Sequence, residues 1–331
     1  MVTTGWNNAR TPFSSTLLDE MLSVCLLFAA LAHGAIVRME ASSPSLSDDD
    51  KAFIAFSGLP IVVWHGIGDA CGNSFSMQPF MAMLKNLTGS AVYCLQIGSD
   101  VEEDTLNGWF MPANAQIDFA CRLLPSFAGI ENGFIGMGLS QGGLFVRALL
   151  QRCDAASAMQ RLIAIGGPQN GVMSFPRCDG NDTVCQVVAD LIDLGVYYRF
   201  VQNSVSPAGY WHDTREEATY LADCLFLPDI NNEQATKNAT YRQRIMSLDH
   251  FVLVFFQADS VIFPRISEWF GYFANGSNTQ VVPLQQSPQY TQDWLGLKTL
   301  DQRGALTFLS SPGDHLHFTD AWFKANIGPF L

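Results

Sequence analysis

Charged side chains are scarce in this sequence, and basic ones are the scarcest. Only 15% of the 331 residues are charged, and 18 lysines and arginines stand against 31 aspartates and glutamates, which leaves a formal net charge of −13. Such an acidic chain is repelled by nucleic acid and by anionic membrane surfaces, so we expect neither as a partner. The hydrophobic fraction of 48% is high enough to bury a substantial core and excludes a disordered protein.

The sequence also lacks the signals of several other protein classes. It contains no internal repeat and, after residue 58, no low-complexity run. Cysteine and histidine do not recur in close pairs at the spacing of zinc ligands, and we expect neither a metal nor a cofactor.

One apolar segment stands out near the N-terminus. Residues 22–37, LSVCLLFAALAHGAIV, follow Arg10 and lead into small residues. This pattern is typical of a secretory signal peptide, which we assign to residues 1–35, and residues 36–57 then form a polar linker. The segment is short for a membrane span, which needs roughly 20 residues, so we expect no stable span and keep an uncleaved anchor as the alternative.

Secretion makes the cysteines and sequons informative. Of eight cysteines, Cys25 leaves with the signal peptide, and the remaining seven leave at least one thiol free or paired between chains. Cys178 and Cys185 flank a polar turn and are candidates for a local disulfide, whereas Cys94 in AVYCLQI is predicted to be a buried thiol. Four Asn-x-Ser/Thr sequons predict surface glycans, at Asn86, Asn181, Asn238 and Asn275.

The apolar residues come in short continuous runs, which are typical of strands covered on both faces. Helix-like stretches at 76–85, 113–124 and 142–151 lie between several of them, and this alternation predicts an α/β fold with a mostly parallel sheet over residues 58–331. About eighty residues separate two of the runs, so we interpret residues 168–248 as a helical cap insertion. The runs are LPIVVWHG, VYCLQIG, GFIGMGLS, LIAIGG, FVLVFFQAD and ALTFLSSPGDH.

A serine between glycines ends the third of these runs. Gly138-Leu139-Ser140-Gln141-Gly142 fits Gly-x-Ser-x-Gly, preceded by a predicted strand and followed by a predicted helix. This is the context of the nucleophile elbow of α/β-hydrolases, in which a strained turn lifts the serine hydroxyl above the sheet. The flanking glycines leave room where a Cβ would collide with neighbouring backbone. The alternative is a glycine-rich turn with an incidental serine.

A serine nucleophile needs a base, and in this fold a histidine follows it in the chain. His315 lies in SSPGDHLHF, a glycine-containing loop directly after a predicted strand, and is the candidate. His317 is interpreted as a surface residue, His212 as a packed residue of the cap and His250 as non-catalytic.

The third member should be an acid that ends the preceding strand, where it can accept the imidazole N–H. Asp259 ends FVLVFFQAD and fits. Asp314 is adjacent to the histidine and poorly placed to reach its ring, and Asp293 and Asp301 lie in loops with no strand before them.

An oxyanion hole requires two backbone donors. One is expected from Gln141, directly after the nucleophile, and the other from the loop after an early strand. In IVVWHGIGD that loop contains His65-Gly66-Ile67-Gly68, and we predict the amide of Ile67 as the second donor, with His65 buttressing the loop.

At this point the residues resemble a known family. From about residue 59 to the end the chain is similar to palmitoyl-protein thioesterases, most of all to lysosomal type-1 members. The resemblance rests on VWHGIGD, MGLSQGG, RALLQRC, GVMSFPRC, YWHD, SEWFGYF, YTQDWLGLK and GDHLHF.

The resemblance implies an α/β-hydrolase that removes palmitate and other long acyl chains from cysteine thioesters of S-acylated proteins or peptides. It implies the triad Ser140, Asp259 and His315, and the oxyanion amides of Ile67 and Gln141. It also implies disulfides Cys121–Cys153 and Cys178–Cys185. Lysosomal location is implied together with the sequons, with an extracellular location as the alternative.

The chain departs from the family pattern at two places. The family's acid stands in Asn-Asp-Ser, and here the sequence is Ala258-Asp259-Ser260. The family has adjacent cysteines after the oxyanion loop, where this chain has only Cys71, for which we consider a bond to Cys224.

The apolar groove for an acyl chain would come from the cap. Two other functions remain open: a lipase or carboxylesterase acting on oxygen esters with the same triad, and a catalytically silent lipid-binding protein. The candidate groove residues are Phe175, Leu191, Ile192, Leu194, Val196 and Phe200.

Overall fold

The structure, a computed structural model, describes residues 58–178, 180 and 182–331. The signal peptide predicted at 1–35, the linker predicted at 36–57 and the sequon asparagine Asn181 lie outside the described residues. Within the described part of the chain, no helix combines the length and the apolar character needed to cross a bilayer.

Six parallel strands form the central sheet, and they coincide with the six apolar runs of the sequence. In the sheet they lie in the order β2–β1–β3–β4–β5–β8, and every neighbouring pair is parallel. β6 and β7 form a separate antiparallel pair. The strands are β1 (Ile61–Trp64), β2 (Val92–Cys94), β3 (Phe134–Leu139), β4 (Met159–Ile165), β5 (His250–Phe256), β6 (Tyr272–Phe273), β7 (Val281–Val282) and β8 (Leu306–Ser311).

Helices surround this sheet and connect its strands. Shorter 3-10 turns lie between them, including Ser206–Tyr210 and Arg265–Trp269. The α-helices are α1 (Met77–Thr88), α2 (Val101–Phe110), α3 (Ala113–Leu123), α4 (Gln141–Arg152), α5 (Thr183–Gly195), α6 (Arg199–Gln202), α7 (Glu217–Asp223), α8 (Leu227–Ile230), α9 (Ala239–Met246), α10 (Pro288–Thr291), α11 (Leu297–Gln302) and α12 (Asp320–Asn326).

The sheet is buried on both faces, which explains the continuous apolar runs. Successive side chains of a strand point to opposite faces. In β1, Val62 and Trp64 belong to one core cluster, which contains the inner faces of α3 and α4. Ile61 and Val63 belong to the other, which α1 and α12 cover. This confirms the predicted α/β-hydrolase architecture, a parallel sheet with flanking helices.

Three helices were predicted from the sequence, and α2, which lies between β2 and α3, is among those that were missed. The stretches predicted at 76–85, 113–124 and 142–151 correspond to α1, α3 and α4. Helix α2 has no clean apolar stripe in VEEDTLNGWF. It begins instead at Asp100, whose side chain accepts from the amide of Glu103, and three acidic residues in its first turn favour the positive end of the helix dipole.

The long segment between β4 and β5 contains α5 to α9. That residues 168–248 form a separate cap remains a prediction. The segment is tied to α4 by Arg147, which is completely buried. Its guanidinium donates to the carbonyl of Ile230 at 2.9 Å and to Oδ1 of Asn231 at 2.8 Å. Burial lowers the pKa of Arg147 to about 9.

Three disulfides form among the described residues, two of them the pairs expected, Cys121–Cys153 and Cys178–Cys185. The third joins Cys71 to Cys94, so the predicted Cys71–Cys224 bond and the predicted free thiol at Cys94 are wrong. Cys94 ends β2 and Cys71 follows the adjacent parallel strand β1, so both reach the same edge of the sheet. Cys224 is a buried free thiol with Sγ 3.2 Å from the carbonyl oxygen of Gly209.

Candidate active site

Ser140 lies in a sharp turn between β3 and α4. Its φ of 53° is positive, a region that non-glycine residues rarely occupy, and the turn is held by hydrogen bonds from its own amide to the carbonyl of Ile165 and from the amide of Gly143 to its carbonyl, both 2.8 Å. Because α4 begins at the next residue, the amides of its first turn and their partial positive charge face the serine.

The two glycines of the motif are required by the close approach of backbone. A Cβ on Gly138 would lie 2.2 Å from the carbonyl oxygen of Gly142. A Cβ on Gly142 would lie 2.3 Å from the carbonyl oxygen of Trp64. Real side-chain carbons do not come this close to a carbonyl oxygen, so any other residue at either position would force the backbone to move.

The three side chains predicted as a triad meet at the carboxyl edge of the sheet. His315, in the loop after β8, places Nε2 2.8 Å from Oγ of Ser140. Its other ring nitrogen, Nδ1, lies 2.5 Å from Oδ2 of Asp259, which follows β5. Ser140 and Asp259 are only 6% and 2% exposed, so these hydrogen bonds form in a largely water-excluded environment.

Asp259 is held as a charged carboxylate. Its Oδ1 accepts from the amides of Val261 and Ile262, both at 2.7 Å. Burial alone would raise the pKa of this carboxyl group, but the hydrogen bonds from His315 and Ile262 together with the imidazole charge outweigh burial and lower it. The group can therefore fix the imidazole tautomer and stabilise an imidazolium.

The three other aspartates considered for the triad bind groups other than the imidazole nitrogens of His315. Asp314 does not contact the imidazole nitrogens; its carboxylate accepts from the amide and hydroxyl of Ser260 and from the amide of His315. It thus ties the loop that carries Asp259 to the loop that carries the histidine. Asp293 pairs with Arg242, and Asp301 accepts from the hydroxyl of Tyr290.

Among the described residues, none of the other candidate histidines, His212, His250 and His317, forms a hydrogen bond with Ser140. His317 is exposed, and His250 starts β5 with its ring against Phe330. His212 is buried between the rings of Tyr220 and Tyr272, with centroid distances of 3.8 and 4.4 Å.

The loop after β1 lies directly beside the serine. A Cβ on Gly66 would be 3.1 Å from Cβ of Ser140. Among the described residues, the backbone amides of Ile67 and Gln141 donate no hydrogen bond, so both are free to bind an oxyanion.

His65 buttresses this loop from below. Its Nδ1 lies 2.9 Å from the carbonyl oxygen of Gly66, and its Nε2 lies 3.2 Å from Oδ1 of the buried Asp104. Burial lowers the pKa of His65, but the hydrogen bond and charge of Asp104 outweigh burial and raise it. Asp104 also accepts from the amides of Cys71 and Ile97, so one carboxylate braces three segments.

Two side chains near the triad, those of Gln141 and Glu268, were not assigned a role from the sequence. The side chain of Gln141 accepts from the hydroxyls of Ser206 and Tyr210 at 2.9 Å each, and it donates to the carbonyl of Gly108. Glu268 lies against Asp259. It sits in SEWFGYF, a motif that contributed to the family resemblance but whose acid has no obvious partner in the linear sequence.

Two clusters have the composition of a metal site, and both have another explanation. His65, Cys71 and Asp104 approach one another, but the sulfur of Cys71 is in a disulfide and cannot be a thiolate ligand. The second cluster is the group of Asp259, Glu268 and His315, whose imidazole nitrogens already bind Asp259 and Ser140.

The candidate groove residues differ in how far they are exposed. Leu191 and Ile192 are buried in α5, whereas Leu194 and Phe200 are exposed, and Val196 is half-buried. Phe175 packs on Trp109 with ring centroids 6.2 Å apart. Because Trp109 also lies against Gly68 of the loop after β1, this aromatic pair is an apolar surface beside the loop that carries Ile67.

The family of the chain follows from comparison with known sequences. A sequence profile described as "Palmitoyl protein thioesterase" matches residues 60–315. The chain belongs to the palmitoyl protein thioesterase family. Ser140, Asp259 and His315 all lie within the matched residues.

Named relatives of the thioesterase family agree. Palmitoyl-protein thioesterase 1 of Caenorhabditis elegans is 38% identical over 259 residues, 78% of this chain and 86% of that protein. A palmitoyl-protein thioesterase-dolichyl pyrophosphate phosphatase fusion of Schizosaccharomyces pombe is 35% identical over 271 residues, 81% of this chain and 43% of the fusion. A Drosophila melanogaster lysosomal thioesterase PPT2 homolog is 31% identical over 276 residues, 81% of this chain and 88% of that protein.

Proposed function

We propose that this chain is a serine hydrolase that removes palmitate and other long-chain fatty acyl groups from cysteine thioesters of S-acylated proteins or peptides. The observation that carries the proposal is the pair of hydrogen bonds that His315 makes to Ser140 and Asp259, in a member of the palmitoyl protein thioesterase family. We assign Ser140 as nucleophile, His315 as general base and acid, and Asp259 as the residue that orients the imidazole.

In the first half of the reaction, Nε2 of His315 takes the hydroxyl proton as Oγ of Ser140 attacks the thioester carbonyl. The carbonyl oxygen becomes an oxyanion beside the free amides of Ile67 and Gln141. Collapse of this intermediate breaks the carbon–sulfur bond and leaves the acyl group on Ser140. A cysteine thiol has a pKa near 8.5, so its thiolate leaves with little demand for protonation.

In the second half, a water molecule loses a proton to His315 and attacks the acyl-enzyme carbonyl. The same two amides stabilise the second oxyanion, and the serine oxygen leaves with the proton carried by the imidazolium. The products are the free fatty acid and the regenerated enzyme.

Binding of a long acyl chain is supported by apolar side chains beside the site. Each buried methylene contributes roughly 0.8 kcal/mol, so an acyl chain of palmitate length needs an extended apolar surface. Trp109 packs against Gly68 in the loop of the proposed oxyanion hole, and Phe175 packs on Trp109. We propose that these two rings contact the first carbons of the acyl chain.

We further propose that the chain enters the secretory pathway and acts in the lysosome, with secretion from the cell as the alternative. Three disulfides fit an oxidising compartment, and the Drosophila relative is named a lysosomal thioesterase. Asn86, Asn238 and Asn275 are exposed and open to glycosylation. A secreted or lysosomal product whose mobility does not change after glycosidase treatment would contradict the glycan assignment.

The deciding experiment compares hydrolysis of a palmitoylated cysteine peptide with that of the matched palmitoyl serine ester. The wild type is expected to prefer the thioester, and Ser140→Ala is expected to lower kcat by at least about 10⁴-fold, as loss of a serine nucleophile does. Ser126→Ala, which alters an exposed serine, is the control and should retain full activity.

Other outcomes point to other functions. Faster cleavage of the oxygen ester would favour a lipase or carboxylesterase. A folded wild type that neither hydrolyses these substrates nor reacts with a serine-directed fluorophosphonate would favour a silent lipid-binding protein. Activity that survives in Ser140→Ala would mean that Ser140 is not the nucleophile.

A further inference from the structure

Glu268 is a buried acid that the proposed reaction does not use. It lies in the 3-10 turn Arg265–Trp269 and is 1% exposed. Its Oε2 accepts from the amide of Phe256, the last residue of β5, at 2.7 Å. Its Oε1 is buried and accepts no hydrogen bond within the described part of the chain. An unpaired buried carboxylate oxygen is costly, so this atom requires an explanation.

The explanation lies in its neighbours. Polar atoms of Glu268, Asp259 and His315 lie within 4.8 Å of one another. Two further charged groups face this cluster: Asp314, which is bound by Ser260 and by the amide of His315, and Arg265, whose guanidinium donates to the carbonyl of Gln257. Neither of them pairs with Oε1 of Glu268.

The two buried carboxyl groups are not equivalent. Asp259 accepts two backbone amides and faces the imidazole of His315, whereas Glu268 accepts one backbone amide. Two like charges so close in a buried site cannot both be stable, and the proton stays on the group with fewer donors. Burial first, and then the nearby carboxylate of Asp259, raise the pKa of Glu268 to about 11.

We propose that Glu268 is a positioning residue of the triad that acts in its protonated form, with its Oε1 hydroxyl donating a hydrogen bond to the carboxylate of Asp259. This inference rests on the proposed function for its effect on activity, but not for the protonation itself. With this bond, Asp259 accepts from Val261, Ile262, His315 and Glu268, and four donors fill the roughly four lone-pair sites of a carboxylate.

A neutral Glu268 matters for the base. Asp259 stabilises protonated His315, and a second ionised carboxylate at this distance would stabilise it further. An ionised Glu268 would therefore move the acidic limb of the pH profile of kcat/KM to higher pH. A neutral donor has the opposite effect, because it disperses the charge of Asp259 while fixing the plane of its carboxylate.

Glu268→Gln and Glu268→Leu separate these effects. The amide of glutamine supplies the same acceptor and donor as the neutral acid, so the acidic limb of the pH profile of kcat/KM should keep its wild-type position. Leucine supplies no donor to Asp259, so we expect kcat to fall about tenfold and the acidic limb to move to higher pH. Glu131→Gln, at an exposed glutamate, is the control.

A second readout needs no substrate. If native Glu268 stays protonated while the unfolded chain ionises it above its ordinary pKa near 4.3, this group makes the native state less stable as pH rises. Removing the acid removes that dependence. The unfolding midpoint of Glu268→Gln minus that of wild type should therefore increase from pH 4 to pH 7. The same difference for Glu131→Gln should not change with pH.

Each result has an opposite that overturns the proposal. A shift of the acidic limb to lower pH in Glu268→Gln would mean that the native residue is ionised. A midpoint difference that does not grow with pH, or a glutamine variant that fails to fold, would contradict protonation as well. A leucine variant with the wild-type kcat and pH profile would remove the positioning role. If the protein proved to lack thioesterase activity, the midpoint measurement would still decide the protonation state.

Discussion

Ser140 and its two partners are held in place by different means. The serine is positioned by backbone alone: a turn at positive φ, with two glycines packed against carbonyl oxygens. Asp259 and His315 lie on two separate loops, where side-chain hydrogen bonds through Asp314 and to the carboxylate of Asp259 add to backbone bonds such as that from the amide of Ala258 to the carbonyl of Gly313.

The difference decides what can be read from a sequence. Backbone sterics act between residues a few positions apart, so they leave a local pattern of glycines. Side-chain hydrogen bonds join residues that are distant in the chain, as Ser260 and Asp314 are, and leave no local pattern. An added side-chain carbon disturbs the first kind of support by pushing backbone apart, whereas the second kind can lose its hydrogen bonds one at a time.

The largest effect is expected when the hydrogen bond between Asp259 and His315 is changed. Asp259→Asn keeps the shape of the side chain but presents an amide to His315, which favours the wrong imidazole tautomer. We expect kcat for the palmitoylated peptide to fall by about 10⁴-fold with little change in KM. Asp118→Asn, at an exposed aspartate, should leave kcat unchanged. A loss of less than tenfold would mean that Asp259 is not the orienting acid.

The second test changes the backbone packing that positions Ser140. In Gly142→Ala the new methyl group would lie 2.3 Å from the carbonyl oxygen of Trp64, so β1 and the turn must move apart. We expect the free energy of unfolding to fall by about 1–3 kcal/mol, and kcat to fall by about 10²-fold because the hydroxyl is displaced. Chemical denaturation and steady-state kinetics measure the two effects.

Gly328→Ala is the matched control for this glycine. No atom lies within 4 Å of a Cβ built there, so the same substitution should change neither stability nor kcat. If Gly142→Ala behaved like Gly328→Ala, the claim that close packing of backbone holds the serine would be refuted.

The same distinction explains which parts of the structure were foreseen. The six strands were predicted because a strand covered on both faces leaves a continuous apolar run, and Ser140 because its glycines lie beside it. Asp259 and His315 were chosen by chain order and by their position after strands. The structure brings them together at the carboxyl edge of the sheet.

What was missed depends on spatial neighbours. The Cys71–Cys94 bond follows from β1 and β2 being adjacent, which neither strand shows alone. Glu268 contacts Asp259 only because a turn folds back on the end of β5. Helix α2 depends on a capping carboxylate at Asp100, a weaker signal than an apolar stripe.

A smaller effect is expected from the link between the two loops. Asp314→Asn weakens the bonds to Ser260 and to the amide of His315, so the histidine loop gains freedom but the triad remains complete. We expect kcat to fall about tenfold. Ser260→Ala removes only the hydroxyl from the same contact and should cost less.

The double variant distinguishes a link from two independent effects. If Asp314 acts through Ser260, the loss in Ser260→Ala/Asp314→Asn should be smaller than the product of the single losses. Multiplicative losses would mean that the two residues act separately and that the loops are not joined through this contact.

The smallest effect concerns the loop of the proposed oxyanion hole, which combines both kinds of support. Gly66 packs against Ser140, and His65 braces the loop through Asp104. Since Asp104 raises the pKa of His65, the folded protein binds this proton more tightly than the unfolded chain does. The stabilisation from His65 is therefore complete below its ordinary pKa near 6.5 and is lost as pH rises through the raised value.

Wild type should thus exceed His65→Gln in stability most at pH 5, and the gap should narrow toward pH 9. Denaturant unfolding of both proteins across this range measures the gap, and His317→Gln, at an exposed histidine, should show no such trend. A gap that widened with pH would mean that His65 is buried as the neutral ring, and that the loop is braced by its bond to Gly66 and not by the charge of Asp104.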